Sequence, residues 1–373
     1  MHQDISTDRT YRHVVVMTAA LFLSYLTVAM SLPAVPVRVV RDLGLGNAWA
    51  GLVVGIAFLS TILTRGYAGA YADRLGGKVA MQRGLLVYSA AALICGRLVL
   101  GLGESIAMVG MISWAIGLMG PARSGAVISL VGIGMYGAFA AGGPLGLLLL
   151  DRIGFESLMA VSMALPLLGL AVIQALPAVE PQAGHREPFW RIIGKIWRPG
   201  AAVALQGVGF AGLGAFFSLY FLSRGWPFAG LGLTFFGVGF VLMRLICGHL
   251  PDRFGGRNVA LAALAAEACG QALLWIAPNP YLALVGALLT GLGCSLVFPS
   301  MGSEVVKQVP AHQRGTAMGG FAAFQDLAYG ATGPIVGILA DCTGYDSVFL
   351  VGGVCAVIGL AAVNSIGRHP NAA

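Results

Sequence analysis

Residues 63–78 read LTRGYAGAYADRLGGK, and residues 242–257, 179 positions later, read LMRLICGHLPDRFGGR. The two stretches align without a gap, and each follows a long apolar run. A match at a fixed offset indicates that the chain consists of two copies of one unit. The matching pairs are Leu63/Leu242, Arg65/Arg244, Gly69/Gly248, Asp73/Asp252, Arg74/Arg253, Gly76/Gly255 and Gly77/Gly256.

The composition places both units in a membrane. Hydrophobic residues make up 58% of the 373 residues and charged residues only 10%, whereas a soluble domain has about 25% charged residues. Lipid can cover this much apolar surface, and stretches of about 20 apolar residues, enough for a spanning helix, fill nearly the whole chain. The 55 glycines favour close helix packing in lipid. We therefore expect an all-α membrane protein.

The same composition argues against several other classes of protein. The 22 basic residues are scattered over short loops, so we expect no nucleic-acid partner. The six cysteines have neither zinc-site nor disulfide spacing, and we expect no metal. No cleavable signal peptide is evident. The chain has no G-x-x-x-x-G-K-[ST] phosphate loop, and only His249 of the six histidines lies within a predicted span, so we expect no enzyme.

The apolar runs predict twelve spans in two bundles. We expect an N-terminal bundle at residues 1–177, a cytoplasmic linker at 178–199 and a C-terminal bundle at 200–373. Within the linker, EPFWRIIGKIWR at 187–198 predicts a short helix on the membrane surface, with a plain polar connector as the alternative. The spans are predicted at 14–36, 49–71, 79–96, 98–119, 124–149, 156–177, 201–222, 229–250, 258–277, 281–300, 315–339 and 346–366.

The third and fourth spans are compressed. Further along the chain the repeat continues at an offset of 190, where GLGES at 101–105 matches GLGCS at 291–295. The first half therefore lacks 11 residues relative to the second, between Asp73 and Gly101. We predict two short or tilted helices with almost no outer loop. A single tilted span, which would make eleven in all, or a deletion remains open.

The basic residues orient the chain in the membrane. With a cytoplasmic N-terminus, fifteen Lys and Arg residues lie in cytoplasmic loops, which is the bias that the positive-inside rule describes. We therefore expect both termini in the cytoplasm. The four basic residues of the outer loops are Arg38, Arg41, Arg152 and Arg224.

The phrase from Gly69 to Lys78, G-x-x-x-D-R-x-G-G-K, resembles the signature loop of the major facilitator superfamily. With the doubled six-span layout, the resemblance covers essentially the whole chain, and it is greatest to the arabinose-efflux-permease-like exporters. RLVLGLG at 97–103 is similar to the family's fourth-span pattern, which is associated with proton transfer. GGPLG at 142–146 partly matches a pattern of proton-driven exporters. The fold implied is two pseudo-symmetric six-helix bundles.

The repeated loop itself is the candidate cytoplasmic gate. Glycine is needed where a Cβ would clash or φ must be positive, as expected for Gly76 and Gly77 at a tight turn. The resemblance implies that Asp73, and more weakly Asp252, latches the two halves in the outward-open state; a helix-end charge that only anchors the topology is the alternative. The gate residues are Gly69, Asp73, Arg74, Gly76, Gly77, Lys78, Gly248, Asp252, Arg253 and Arg257.

Acidic residues inside the spans are the candidates for proton coupling. Asp326 and Glu267 fall near the middle of their spans, where a carboxylate is costly and therefore functional by default. Glu104 lies seven residues after Arg97, on the same face of a continuous helix. An acid held by a polar partner for helix packing is the alternative, and Arg97 would be merely solvated if it lay at the outer turn.

Other polar residues within spans are candidates for a substrate cavity. Arg65 and Arg244 precede the loop aspartates by eight residues, about 12 Å deeper in the membrane. Each could bind an anionic substrate group, hold the loop, or extend its side chain towards the cytoplasm. Tyr25 and Gln206 lie in the first span of each half, and Gln325 precedes Asp326. Aromatic residues that could form apolar walls of this cavity, or else face lipid, are Phe22, Phe210, Phe216 and Phe217.

These observations together predict a secondary transporter. Repeated membrane halves are typical of transporters that bind solute between the halves near the bilayer midplane. The resemblance implies proton-coupled efflux of a sugar-like or drug-like molecule by an antiporter with alternating access. It also implies a monomeric multi-pass protein of the bacterial inner membrane that needs no cofactor. Uptake by symport or uniport, and a membrane sensor without transport activity, remain as alternatives.

Overall fold

The computed structural model describes residues 2–89, 96–120, 124–179, 190–309 and 314–366. Every regular element among them is helical, which confirms the predicted all-α fold. The helices are α1 (His2–Val37, continued by a π-helical turn at Arg38–Asp42), α2 (Asn47–Leu75), α3 (Gly77–Ser89), α4 (Gly96–Met119), α5 (Ser124–Ile173), α6 (Trp190–Ser223), α7 (Leu231–Cys247), α8 (Leu250–Phe254), α9 (Gly256–Ile276), α10 (Pro280–Gln308), α11 (Arg314–Thr343) and α12 (Asp346–Asn364).

Eight of the described helices are long and apolar enough to cross a membrane. The longest stretch, Val127–Ile173 in α5, is interrupted at Gly154, whose φ of 77° reverses the chain between two passes. With α5 counted as two passes, and α7 with its short continuation α8 as one, the helices correspond to the twelve predicted spans.

The helix α6 joins the linker to the second half. It runs from Trp190 through Pro199 to Ser223, so the helix predicted at 187–198 is continuous with the seventh span over its described residues. Residues 180–189 lie outside the described part of the chain. We propose the division of the chain into two bundles at this linker.

The sequence repeat reappears as a repeat of backbone conformation. Gly76 ends α2 with φ 85° and ψ 150°, and Gly255, its counterpart 179 residues later, has φ 82° and ψ 140°. The next glycine is needed for a steric reason, because a Cβ at Gly77 would lie 2.5 Å from the backbone nitrogen of Trp114. Gly256 is equally constrained, 2.2 Å from the carbonyl oxygen of Ser300. The first glycine of each pair thus has a positive φ, and the second has no room for a Cβ, as expected for a tight turn.

The compressed segment forms two helices, α3 and α4, that pack along each other. Ser60 on α2 donates a hydrogen bond of 2.6 Å to the carbonyl oxygen of Leu98, in the first turn of α4. Ser60 lies thirteen residues along α2 from Asn47, about 20 Å at 1.5 Å per residue. The start of α4 therefore lies beside the middle of α2. The backbone of Arg97 belongs to this first turn of α4, and its side chain lies outside the described residues.

Close glycine contacts join the two halves. We call the end of the bundle with the turns at Gly76 and Gly255 the basic end, and the end with the turns at Gly154 and Gly344 the opposite end. From the centre to the opposite end, α2 packs on α11 so closely that a Cβ at Gly51 would lie 2.0 Å from the carbonyl oxygen of Gly333. Helix α5 packs on α7 in the same region.

Candidate functional site at the centre of the bundle

Seven aromatic rings fill the contact between the halves at mid-depth. Tyr136 stacks on Phe240 with ring centroids 3.5 Å apart, and its hydroxyl lies 3.4 Å from that of Tyr329. The contact crosses between the halves, because Tyr136 lies on α5 and the other two on α7 and α11. We call this set the central aromatic cluster: Phe58, Tyr136, Phe139, Phe210, Phe236, Phe240 and Tyr329.

In the first half, two predicted site residues meet beside this cluster. The hydroxyl of Tyr25 donates a hydrogen bond of 2.8 Å to Oε1 of Glu104, and both side chains are buried. The ring of Tyr25 also makes an edge contact with Phe139. An acid of α4 is thus connected to the central cluster through one tyrosine of α1.

In the second half, the structure brings together the predicted residues of α6 and α11. Gln325 donates a hydrogen bond of 3.3 Å to the side-chain oxygen of Gln206. Asp326 is 7% exposed and lies three residues before Tyr329 on α11, so the two side chains are neighbours on one face of the helix. The predicted position of Asp326 near the centre of the bundle is therefore where the structure places it.

Glu267 lies inside the second half. Its side chain is completely buried, and a Cβ at Gly209 on α6 would lie 2.6 Å from its Oε1. Neither carboxyl oxygen receives a nitrogen- or oxygen-donated hydrogen bond from a described residue, and the thiol of Cys294 faces the carboxyl. Glu267 is thus buried between α6, α9 and α10, and Cys294 lies between its carboxyl group and Gln206.

Arg244 borders the central cluster from the basic side. Its side chain lies on α7 and packs against α5, with Nη2 3.7 Å from the place where a Cβ at Gly132 would be. The guanidinium lies over the ring of Phe240, 5.3 Å from its centroid. The residue is 8% exposed, and its Nε has no hydrogen-bond partner.

Two basic residues of the repeated loop fix the last pass of their own half. Lys78 donates a hydrogen bond of 3.0 Å to the carbonyl oxygen of Gln174, where α5 has ended. Arg257, its counterpart, donates one of 3.1 Å to the carbonyl oxygen of Asn364, at the end of α12. Cations are favourable at helix C-termini, where carbonyl groups lack partners. This intra-half role was not anticipated from the sequence.

The rest of the predicted gate is described only in part. Arg74 and Arg253 are exposed, and Gly248 ends α7. The side chains of Asp73, Asp252, Arg65 and Arg97, and the surroundings of Gly69, lie outside the described residues. The latch, and the parts predicted for Arg65 and Arg97, therefore stay predictions.

A carboxylate joins the halves at the opposite end. Oδ1 of Asp341 on α11 accepts hydrogen bonds from the backbone nitrogen of Asn47, at 3.1 Å, and from its Nδ2, at 2.8 Å. The carboxylate thus caps the N-terminus of α2, where helix N–H groups lack partners. Tyr345 donates a further bond of 2.9 Å to Asn47 Oδ1. Partial burial raises the pKa of Tyr345, which keeps this donor protonated.

The sequence analysis missed part of the centre. It named Phe210, but not Tyr136, Phe236 or Phe240, because aromatic residues in an apolar span do not reveal which face they occupy. The available signal was the polar hydroxyl of Tyr136 in the middle of a span. Phe216 and Phe217, taken as cavity walls, lie elsewhere on α6; Phe217 stacks on Phe221.

Two repeated helical halves that meet at a central cluster bordered by buried charges define a membrane transporter. The chain belongs to the Major Facilitator Superfamily, whose model matches residues 17–233 and 202–371. It is 43% identical over 372 residues to an uncharacterised MFS-type transporter of Salmonella typhimurium, covering 95% of this chain and 96% of that one. It is 39% identical over 386 residues to one of Pseudomonas aeruginosa, covering 98% and 96%.

Solved structures with the same fold transport different solutes. The human organic anion transporter MFSD10 (TETRAN) has a TM-score of 0.75 at 16% identity, covering 95% of this chain and 99% of that one. The nucleoside transporter NupG, as its D323A mutant, has a TM-score of 0.77 at 14% identity, covering 95% and 100%. At these identities the likeness shows the fold alone.

Proposed function

We propose that this protein exports a small organic molecule in exchange for protons, by alternating access. The observation that carries the proposal is the position of Asp326, a buried acid beside the Tyr136–Tyr329 contact between the halves. Protonation of a group at that contact changes its charge at the place where the halves must separate. Its protonation state is then coupled to the opening of the bundle.

Alternating access also requires that the halves be closed at one end by contacts that can break. We call the contact between the halves at the opposite end the seam. At the opposite end the halves are held by glycine contacts between α2 and α11 and by the Asp341–Asn47 hydrogen bonds. Such contacts are small and numerous, and they can break as a set when one half rocks against the other. The excess of basic residues at the other end supports a cytoplasmic position for that end, in the bacterial inner membrane.

Within this scheme the two other acids have separate parts. Glu104 is linked through Tyr25 to the first-half side of the central cluster, so a proton on Glu104 would alter the same contact. Glu267 is buried inside the second half and would act on helix packing within it. The direction of transport is supported by the partial exporter pattern at residues 142–146. We propose that the monomer is the working unit.

A transport assay in proteoliposomes tests the proposal. The full chain is reconstituted with a pH-sensitive dye inside, and a panel of neutral, cationic and anionic solutes is applied under an imposed pH gradient. Proton movement opposite to solute movement supports exchange. Movement of both in the same direction would favour uptake by symport, and solute movement that does not respond to the gradient would contradict proton coupling.

Asp326→Asn should abolish flux driven by the pH gradient. The amide keeps the size and hydrogen-bonding capacity of the side chain but cannot exchange a proton. Exchange of solute for solute, which needs no net proton movement, should continue. Glu156→Gln, at an exposed acid, is the matched control and should change neither flux. Gradient-driven flux of normal size in Asp326→Asn would clear Asp326 of the role.

A further inference from the structure

The most unusual charge in the described part of the molecule is that of Arg244. An arginine inside the membrane is costly, and buried arginines are normally paired with a carboxylate. None of the ion pairs formed between described residues involves Arg244; those pairs are Arg38–Asp42, Arg224–Asp346 and Lys307–Glu304. The residue is 8% exposed, its Nε has no hydrogen-bond partner, and no carboxylate of the described residues neutralises its charge.

The surroundings of this arginine are apolar and aromatic. The guanidinium lies over Phe240, and Phe240 in turn is stacked on Tyr136 across the two halves. Phe236 and Phe210 extend the aromatic surface towards α6, with ring centroids 5.0 Å apart. On the other side the cation faces Gly132, where the lack of a side chain leaves the guanidinium edge uncovered by any Cβ.

We propose that Arg244 binds the carboxylate of a small aromatic anion, whose ring packs against Tyr136 and Phe240. This inference rests on the proposed function, because it names the class of solute that the transporter carries. A planar guanidinium presents two parallel donors that match a carboxylate, and such charge-assisted bonds are strong in a site shielded from water. The aromatic rings provide the apolar wall that small-molecule sites usually have.

The position of the site fits a molecule carried between the halves. Arg244 reaches from α7 of the second half to α5 of the first, so a ligand on its guanidinium would contact both halves. The Tyr136–Phe240 stack, with centroids 3.5 Å apart, closes the site on the side of the opposite end. When the halves move and this stack opens, a ligand ring could take the place of Tyr136 against Phe240. The ligand would then pass from the basic end towards the opposite end.

Binding to the purified full chain tests the inference directly. The probes are 1-naphthoate and 1-naphthamide, which have nearly the same shape but differ in charge, with affinities measured by isothermal titration calorimetry. The wild-type protein should bind the carboxylate about tenfold to hundredfold more tightly than the amide, as expected for a charge-assisted pair. Equal affinities for the two probes, or no binding of the carboxylate, would overturn the inference without any variant.

Variants then assign the discrimination to one residue. Arg244→Gln should bind both probes equally weakly, and Arg244→Lys should keep part of the preference because it keeps the charge. Arg152→Gln removes an exposed arginine at the opposite end and should behave like wild type. Undiminished preference for the carboxylate in Arg244→Gln would also overturn the inference.

The same experiments separate this inference from the proposed function. If neutral or cationic solutes move protons in the proteoliposome panel while naphthoate neither binds nor moves, proton-coupled transport is supported and the proposed class of solute is wrong. If naphthoate binds at Arg244 but no solute moves protons, the site stands and proton coupling is wrong.

Discussion

Single glycines determine how closely the halves can approach. A Cβ at Gly333 would lie 2.3 Å from the carbonyl oxygen of Gly51, which is closer than any real contact. A side chain there must push α11 away from α2. In contrast, Gly319 on the same helix has open space around its Cβ position. The seam at the opposite end therefore depends on particular glycines, and not on the glycine content of α11 as a whole.

Gly333→Ala should favour separation of the halves at the opposite end by a factor of about ten, given a typical cost of overpacking. The readout is the rate at which a membrane-impermeant maleimide alkylates Leu233→Cys, a seam position that is 4% exposed, in a chain without its native cysteines. Gly319→Ala is the control and should leave the rate unchanged. An unchanged rate in Gly333→Ala would mean that this contact does not hold the seam.

At the residue scale, the sequence predicted backbone conformation and the burial of charged residues better than it predicted which residues contact each other. It predicted the positive φ of Gly76 and a central position for Asp326, because turn chemistry and burial of charge leave local signals. It did not predict that Lys78 binds the end of α5, since that contact joins residues 96 positions apart. Long-range partners of this kind leave no periodic pattern in a single sequence.

At the scale of elements, the capping of α2 by Asp341 is the main polar connection described between the halves at the opposite end. A side chain that caps a helix N-terminus contributes about 1 kcal/mol, so the contact is strong enough to bias the bundle and weak enough to break in each cycle. In the first half Asp151, 190 positions earlier, is the counterpart of Asp341, but it forms no hydrogen bond with the second half among the described residues. The described polar connection at this end therefore uses the aspartate of the second half only, although both aspartates belong to the sequence repeat.

Asp341→Ala should raise the alkylation rate of Leu233→Cys about fivefold, the equivalent of the lost cap. Asp151→Ala removes the repeat-related acid and should have no effect. An equal rise in both variants would indicate a general effect of surface charge, and would show that the capping of α2 by Asp341 does not hold the halves together.

The shortened α3–α4 pair shows where element-level prediction succeeded and failed. The segment where the repeat offset changes from 179 to 190 was correctly predicted to form two helices, but α4, with 24 residues, is not short. Their depth was not predictable, because the start of α4 is positioned by its contact with Ser60 in the middle of α2. Apolar residues are compatible with lipid at any depth, so hydropathy does not encode this position.

At the scale of the whole molecule, the fold followed from the repeat and the positive-inside charge bias, whereas the centre did not. The central aromatic cluster needs rings from α2, α5, α6, α7 and α11 to converge. Which face of each helix points inward is decided by helix packing, and glycine-rich apolar helices carry little amphipathic signal. The same cluster is the surface about which the two halves are proposed to rock.

Rocking of the halves is the central claim, and double electron–electron resonance between spin labels measures it most directly. One pair, Trp49→Cys and Ile338→Cys, reports the opposite end, and another, Tyr11→Cys and Trp197→Cys, reports the basic end; all four sites are exposed. The account predicts two distance populations for each pair, with the opposite end lengthening as the basic end shortens when pH or solute is changed. A single fixed distance at both ends, or lengthening at both ends together, would contradict it.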